Sequence, residues 1–136
     1  MKMRANVFKG ANKIGLEERP IPKAGPGEAV VKVTLTTICG TDVHIMKGEY
    51  PVKTGQTIGH EPVGVIQELG IADKKIVSTL CPGGKERMRR LISLVKNERV
   101  NLRQLITHRF SLDEIEEAYR IFSNQLDGVI KVTIKP

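Results

Sequence analysis

The stretch TTICGTDVHIMKGEYPVKTGQTIGHEPVG, residues 36–64, decides how this chain is read. It holds Cys39, one of two cysteines, and His44 and His60, two of the three histidines. Asp42 and Glu61 lie in the same stretch. Its glycines, threonines and Pro51 mark it as an irregular loop. Cys39 and His60 stand towards the two ends of that loop, so its closure can bring a soft thiolate and a borderline imidazole to one ion, the mixture that zinc prefers. Glu61, next to His60, is placed to ligate or to support a ligand. Thr41 offers a hydroxyl close to Cys39 and His44 an imidazole, a chemically reasonable relay for a proton leaving a group bound to such an ion. From spacing alone a purely structural role stays open, because a lone cysteine is most often a small buried hydrophobe.

Working outward, the flanks read as strands. NVFK is a short strand candidate, KIGLEERPIP is extended and stopped by Pro20 and Pro22, and AGPGEA is a turn. AVVKVTLTTI alternates, with Val31, Val33 and Leu35 on one side and Lys32, Thr34 and Thr36 on the other, which predicts a half-buried strand. EPVGVIQEL returns to strand, and so does KKIVSTL, which CPGG ends. KERMRRLISLVKNERV has helical period, with Met88, Leu91, Ile92 and Val95 on one stripe. LITHRF is extended. SLDEIEEAYRIFSNQ is the clearest helix, opened by a Ser111/Glu114 capping box and carrying Ile115, Ala118, Tyr119 and Phe122 as its buried stripe. DGVIKVTI closes as a strand after an Asp-Gly turn. The class is α+β with two or more helices.

The composition narrows the functional classes. A chain of 136 residues fits one domain and can bury a core. At 40% hydrophobic and 27% charged it reads as globular rather than disordered. No stretch approaches the roughly 20 apolar residues of a membrane span, and MKMRANVFKG lacks an apolar signal segment. No membrane partner and a cytoplasmic location are the expectation. Two distant cysteines are no disulfide framework. The net charge of +7 admits an acidic partner, and a non-enzymatic basic module built on KERMRRLISLVKNER stands as an alternative reading. Dispersed basic residues and 4% aromatics argue against nucleic acid, whose stacking platforms need aromatic side chains.

The wording of the loop adds a resemblance. CGTDVHIMKG followed by GHEPVGVI resembles the zinc-dependent medium-chain alcohol dehydrogenase family, in particular its secondary-alcohol branch, and residues 1–33 look like that family's N-terminal GroES-like β-domain. The resemblance implies a GroES-like partial β-barrel. It implies Cys39 and His60 as zinc ligands, with Glu61 as an alternative or transient one. It further implies Thr41 and His44 as the proton relay, and Asp42 as the carboxylate that orients the zinc-bound imidazole. The implied chemistry is NAD(P)-dependent interconversion of alcohols with ketones or aldehydes.

The resemblance comes in two blocks that meet near Gly70 and Ile71. The second block opens with IADKKIVSTLCPGGKERMRRL, which resembles the end of the family's cofactor domain, and LITHRFSLDEIEEAYRIF with GVIKVTIKP resembles its C-terminal return. The expected organisation is therefore one shortened catalytic domain over 1–136: a β part at 1–70, a cofactor-domain remnant at 71–98 and a return helix and strand at 99–136. The family's third zinc ligand and its dinucleotide turn have no counterpart; no G-x-G-x-x-G occurs in this sequence. CPGGKER reads as a strand-to-helix turn rather than an anion cup. Cys81 is the outside candidate for a third ligand. The expectations are partial zinc occupancy, no turnover by the chain alone, and a homodimer in which Lys75 to Leu80 fills a vacant place beside EPVGVIQEL. The alternative is a working oxidoreductase completed by another chain.

Overall fold

A computed structural model describes residues 1–71 and 84–136. Nine strands and helices follow one another within them. They are β1 (Lys2–Gly10), β2 (Lys13–Pro20), β3 (Ala29–Thr37), α1 (Gly40–Lys47), β4 (Val63–Leu69), α2 (Gly84–Lys96), β5 (Ile106–Ser111), α3 (Ile115–Ser123) and β6 (Lys131–Lys135). Short 3₁₀ turns at Leu102–Leu105 and Leu112–Glu114 precede β5 and α3. β1 and β2 form an antiparallel hairpin, and the other strands form a mixed sheet ordered β4-β3-β6-β5. The mixed class expected from the sequence, with at least two helices, is the one found.

The hairpin turns at Gly10 and Asn12, whose φ angles of 128° and 60° suit a glycine and an asparagine better than a branched residue. β1 is longer than NVFK suggests because both of its edges are used. β2 pairs along one edge. Along the other, Phe8 N donates to Gln56 O at 2.9 Å and Ile58 N donates to Asn6 O at 3.0 Å. This second ladder fixes the end of the 36–64 loop and so sets where His60 emerges.

The core gathers Phe8, Ile14, Ile38, Ile58, Ile115, Ala118, Tyr119, Val132 and Ile134. Three residues of the expected α3 stripe, Ile115, Ala118 and Tyr119, are buried, while Phe122 is half-buried at its margin. The helix entry follows the sequence: Ser111 N donates to Glu114 Oε2 at 2.9 Å, which closes the capping box. That backbone bond, with a second from the Ser111 hydroxyl, holds the Glu114 carboxyl below its usual 4.5. The Asp-Gly turn is present too, with Asp127 at φ 50° and Gly128 at φ 63°.

Two expectations are corrected. The loop is not irregular throughout, because Gly40–Lys47 is helical. Cys39 caps that helix: its N–H donates to Asp42 Oδ2 at 3.0 Å, and Gly48 ends it in the left-handed conformation at φ 79°. The strand β3 is not half-buried, since Val31 and Leu35 are 47% and 38% exposed. An irregularity between Val33 and Leu35 in the β3–β4 register also breaks the simple alternation. The α2 helix is found as read, and its stripe of Met88, Leu91, Ile92 and Val95 faces solvent. Periodicity identifies a face fit for burial, but burial needs a second surface. The expected strand Lys75 to Leu80, and Cys81, lie outside the described residues.

Candidate metal centre

Two long-range connections bring the ends of the loop together. Ile38 N donates to Val132 O at 3.2 Å, tying the end of β3 to β6 and setting Cys39 at the mouth of α1. The ladder of Gln56 and Ile58 on β1 carries His60 and Glu61 to the same place. As a result one ligand atom from each of Cys39, His60 and Glu61 lies within 4.8 Å of the others. The sequence singles out these three residues, and the fold clusters them.

Asp42 stands behind His60. Its side chain is 1% exposed, and Oδ1 lies 3.0 Å from His60 Nδ1. The same carboxylate accepts the Cys39 N–H through Oδ2. One buried carboxylate therefore caps α1 and sets the imidazole, with Nε2 as the ring nitrogen left over for an ion. Tyr119 of α3 lies under this group. Burial raises its phenol well above the usual value of 10 and the Asp42 charge raises it further, against a hydrogen bond with Asn6, so the phenol stays neutral.

Glu61 is held on its other side by residues the sequence did not suggest. Lys131 Nζ donates to Glu61 Oε2 at 2.6 Å, and the Thr37 hydroxyl donates to the same oxygen. Burial pushes the Glu61 carboxyl up, but the Lys131 and Thr37 hydrogen bonds, with the charges of Lys131 and His60, bring it below 4.5. It is a carboxylate already partnered by a cation. No local signal marks Lys131, which reads as an ordinary lysine in a closing strand.

The two relay candidates are separated in their partners. Thr41 Oγ1 lies 3.8 Å from Cys39 Sγ, within the cluster. His44 turns outward and shares a hydrogen bond through Nδ1 with Glu49. No hydrogen bond joins Thr41 to His44 among the described residues.

The donors suit zinc: a thiol sulfur, an imidazole nitrogen whose other nitrogen is held by a carboxylate, and a carboxylate oxygen. The Lys131–Glu61 ion pair weakens the third position, because an ion must compete with the ammonium for that oxygen.

Comparison with known proteins finds relatives for part of the chain. Residues 25–86 match the family described as the alcohol dehydrogenase GroES-like domain. An alcohol dehydrogenase of Cupriavidus necator is 52% identical over 87 residues, covering 59% of this chain and 24% of that protein. Zinc-type alcohol dehydrogenase B of Aspergillus flavus is 49% identical over 76 residues, covering 55% and 18%. Among solved structures, acetophenone reductase from Geotrichum candidum, in complex with NAD, superposes with a TM-score of 0.50 at 30% identity, covering 54% of this chain and 22% of that one. The matched part thus spans less than a quarter of each of these relatives. On the loop motifs, the clustered donors and these likenesses together, residues 25–86 are similar to the GroES-like domain of alcohol dehydrogenases, and the relatives that share this part include a zinc-type member.

Proposed function

We propose that this chain is a shortened catalytic domain of a zinc-dependent alcohol dehydrogenase, which holds zinc at partial occupancy and does not turn over alcohol alone. The observation that carries the reading is the cluster of Cys39, His60 and Glu61 with Asp42 hydrogen-bonded behind His60. Cys39 and His60 are the firm ligands, and Glu61 contributes in competition with Lys131. A bound zinc would supply Lewis acidity, polarising an alcohol or ketone oxygen. Asp42 holds the imidazole in one tautomer and orientation. Thr41, beside Cys39, is the group that takes the alcohol proton, and His44 is its exit once it turns from Glu49 towards Thr41.

Hydride transfer needs nicotinamide placed within contact of the substrate carbon. The sequence contains no dinucleotide turn, so NAD(P) belongs to the parent reaction and not to a site of this chain. The substrates of the full reaction would be small alcohols and ketones. The chain is read as self-associating, as a homodimer. In the alternative reading, a second chain supplies the cofactor domain and restores turnover.

Incubating the zinc-loaded chain with secondary alcohols and either NAD or NADP is expected to give no reduced cofactor by absorbance. Turnover that disappears in Thr41→Ala would overturn this and return Thr41 to a working relay. A second outcome concerns the ion pair. Lys131→Met removes the cation that competes for Glu61, so zinc affinity, measured by competition with a chromophoric chelator, is expected to rise severalfold. An unchanged or weaker affinity would mean that Glu61 is no ligand.

A further inference from the structure

Two apolar surfaces of the chain lie bare. In the β3–β4 register Val31 faces Ile66 and Ala29 faces Leu69, and these pairs carry their side chains on one face. Val31 is 47% exposed, and Ile66 and Leu69 are each 59% exposed. The second surface is the α2 stripe of Met88, Leu91, Ile92 and Val95, between 41% and 57% exposed. A helix stripe and a sheet face are the two kinds of surface that bury each other in packed domains, and contiguous bare apolar patches mark interaction sites.

We propose that these surfaces cover each other between two copies of this chain: α2 of one copy lies on the Val31, Ile66 and Leu69 face of the other, reciprocally about a twofold axis. The dimensions agree. The 13 residues of α2 make a helix about 20 Å long, and the 7 residues of β4 span about 23 Å. The charges agree as well. Lys96 lies at the end of α2 with no acidic partner among the described residues, and Glu28 and Glu68 flank the Ala29–Leu69 end of the sheet. Within one chain both surfaces stay open, with every α2 side chain from Glu86 to Lys96 exposed. The connection from Ile71 to Gly84 reaches at most about 45 Å, enough to arrive at a neighbouring copy. Reciprocal exchange closes the assembly at two copies and leaves neither surface over. β4 is also the last strand of its sheet among the described residues, so the proposed interface adjoins an open edge that favours association.

This interface does not depend on the metal reading, which zinc content reports separately. The test is the mass of the full chain by light scattering over a range of concentrations and salt. A dimer is expected, and it should persist at high salt, because its contacts are mainly apolar and screening weakens the Lys96 attraction and the repulsion between the two +7 copies alike. Leu91→Glu and Ile66→Glu are each expected to weaken it at least about tenfold with the circular dichroism spectrum unchanged, since both side chains are exposed in the single chain. A double variant, Ile66→Cys with Leu91→Cys, should oxidise to a covalent dimer, the single variants serving as controls for Cys39 and Cys81. A strict monomer, a dimer indifferent to both glutamate substitutions, or a cross-link confined to one chain would each overturn the proposal. So would a monomer whose α2 binds anionic vesicles in a salt-sensitive manner.

Discussion

The double variant Cys39→Ser, His60→Ala is expected to lose its zinc. The two residues supply the sulfur and nitrogen of a three-donor cluster whose ligand atoms lie within 4.8 Å of one another. Glu61 would remain, but its Oε2 is already bonded to Lys131 at 2.6 Å and to Thr37. A carboxylate so engaged is a poor single ligand for zinc. The loss should therefore exceed the roughly 10–100-fold seen when only an orienting partner is removed. Metal analysis of protein loaded with zinc and then dialysed reads the effect directly, and zinc retained undiminished in the double variant would sink the assignment. Folding need not fail with it. Cys39 caps α1 mainly through its backbone N–H to Asp42, a bond that serine keeps, and His60 has a side chain 41% exposed.

The largest expected effect on stability lies at Ile134. It is 1% exposed in β6, opposite Thr36 of β3 and Phe110 of β5. Ile134→Ala removes buried methyl and methylene groups from a close-packed site, which costs about 2–5 kcal/mol. The total stability of a domain is only about 5–15 kcal/mol, so the variant should unfold at much lower denaturant. Val65→Ala is the contrast. Val65 is 64% exposed, and its truncation should stay within about 0.5 kcal/mol. Denaturant unfolding followed by circular dichroism compares the two. Equal costs would mean that the core does not lie around β1, α3 and β6.

That contrast comes from how unevenly the fold uses its apolar residues. The sequence marks Val31, Leu91, Ile115 and Ala118 alike as members of apolar faces, yet Val31 and Leu91 are exposed and Ile115 and Ala118 are buried. Periodicity is a property of one segment and predicts which side will be buried if a partner arrives. It carries no information on whether one does. Here the partner of α3 and β6 is the β1–β2 hairpin of the same chain, whereas β3, β4 and α2 meet no such layer among the described residues.

What the sequence determined by itself is local chemistry. The Ser111/Glu114 box opens α3, the Asp127–Gly128 turn opens the way to β6, and the pair CGTDVH and GHEPVG contains Cys39, His60 and Glu61, the residues that the fold clusters as a candidate metal site. Each depends on residues a few positions apart, where spacing fixes the geometry. The helix at Gly40–Lys47 was legible in the same way through Cys39, Asp42 and Gly48, but the many turn-forming residues around it masked the signal. Only the tertiary structure decided the rest. It drew the Cys39 and His60 ends of the loop together through Val132 of β6 and through β1. It placed Lys131 against Glu61 from the far end of the chain. An ion pair of that kind requires β3 to lie beside β6 first. Its cause is the closing of a sheet between residues remote in sequence, which no spacing along the chain encodes.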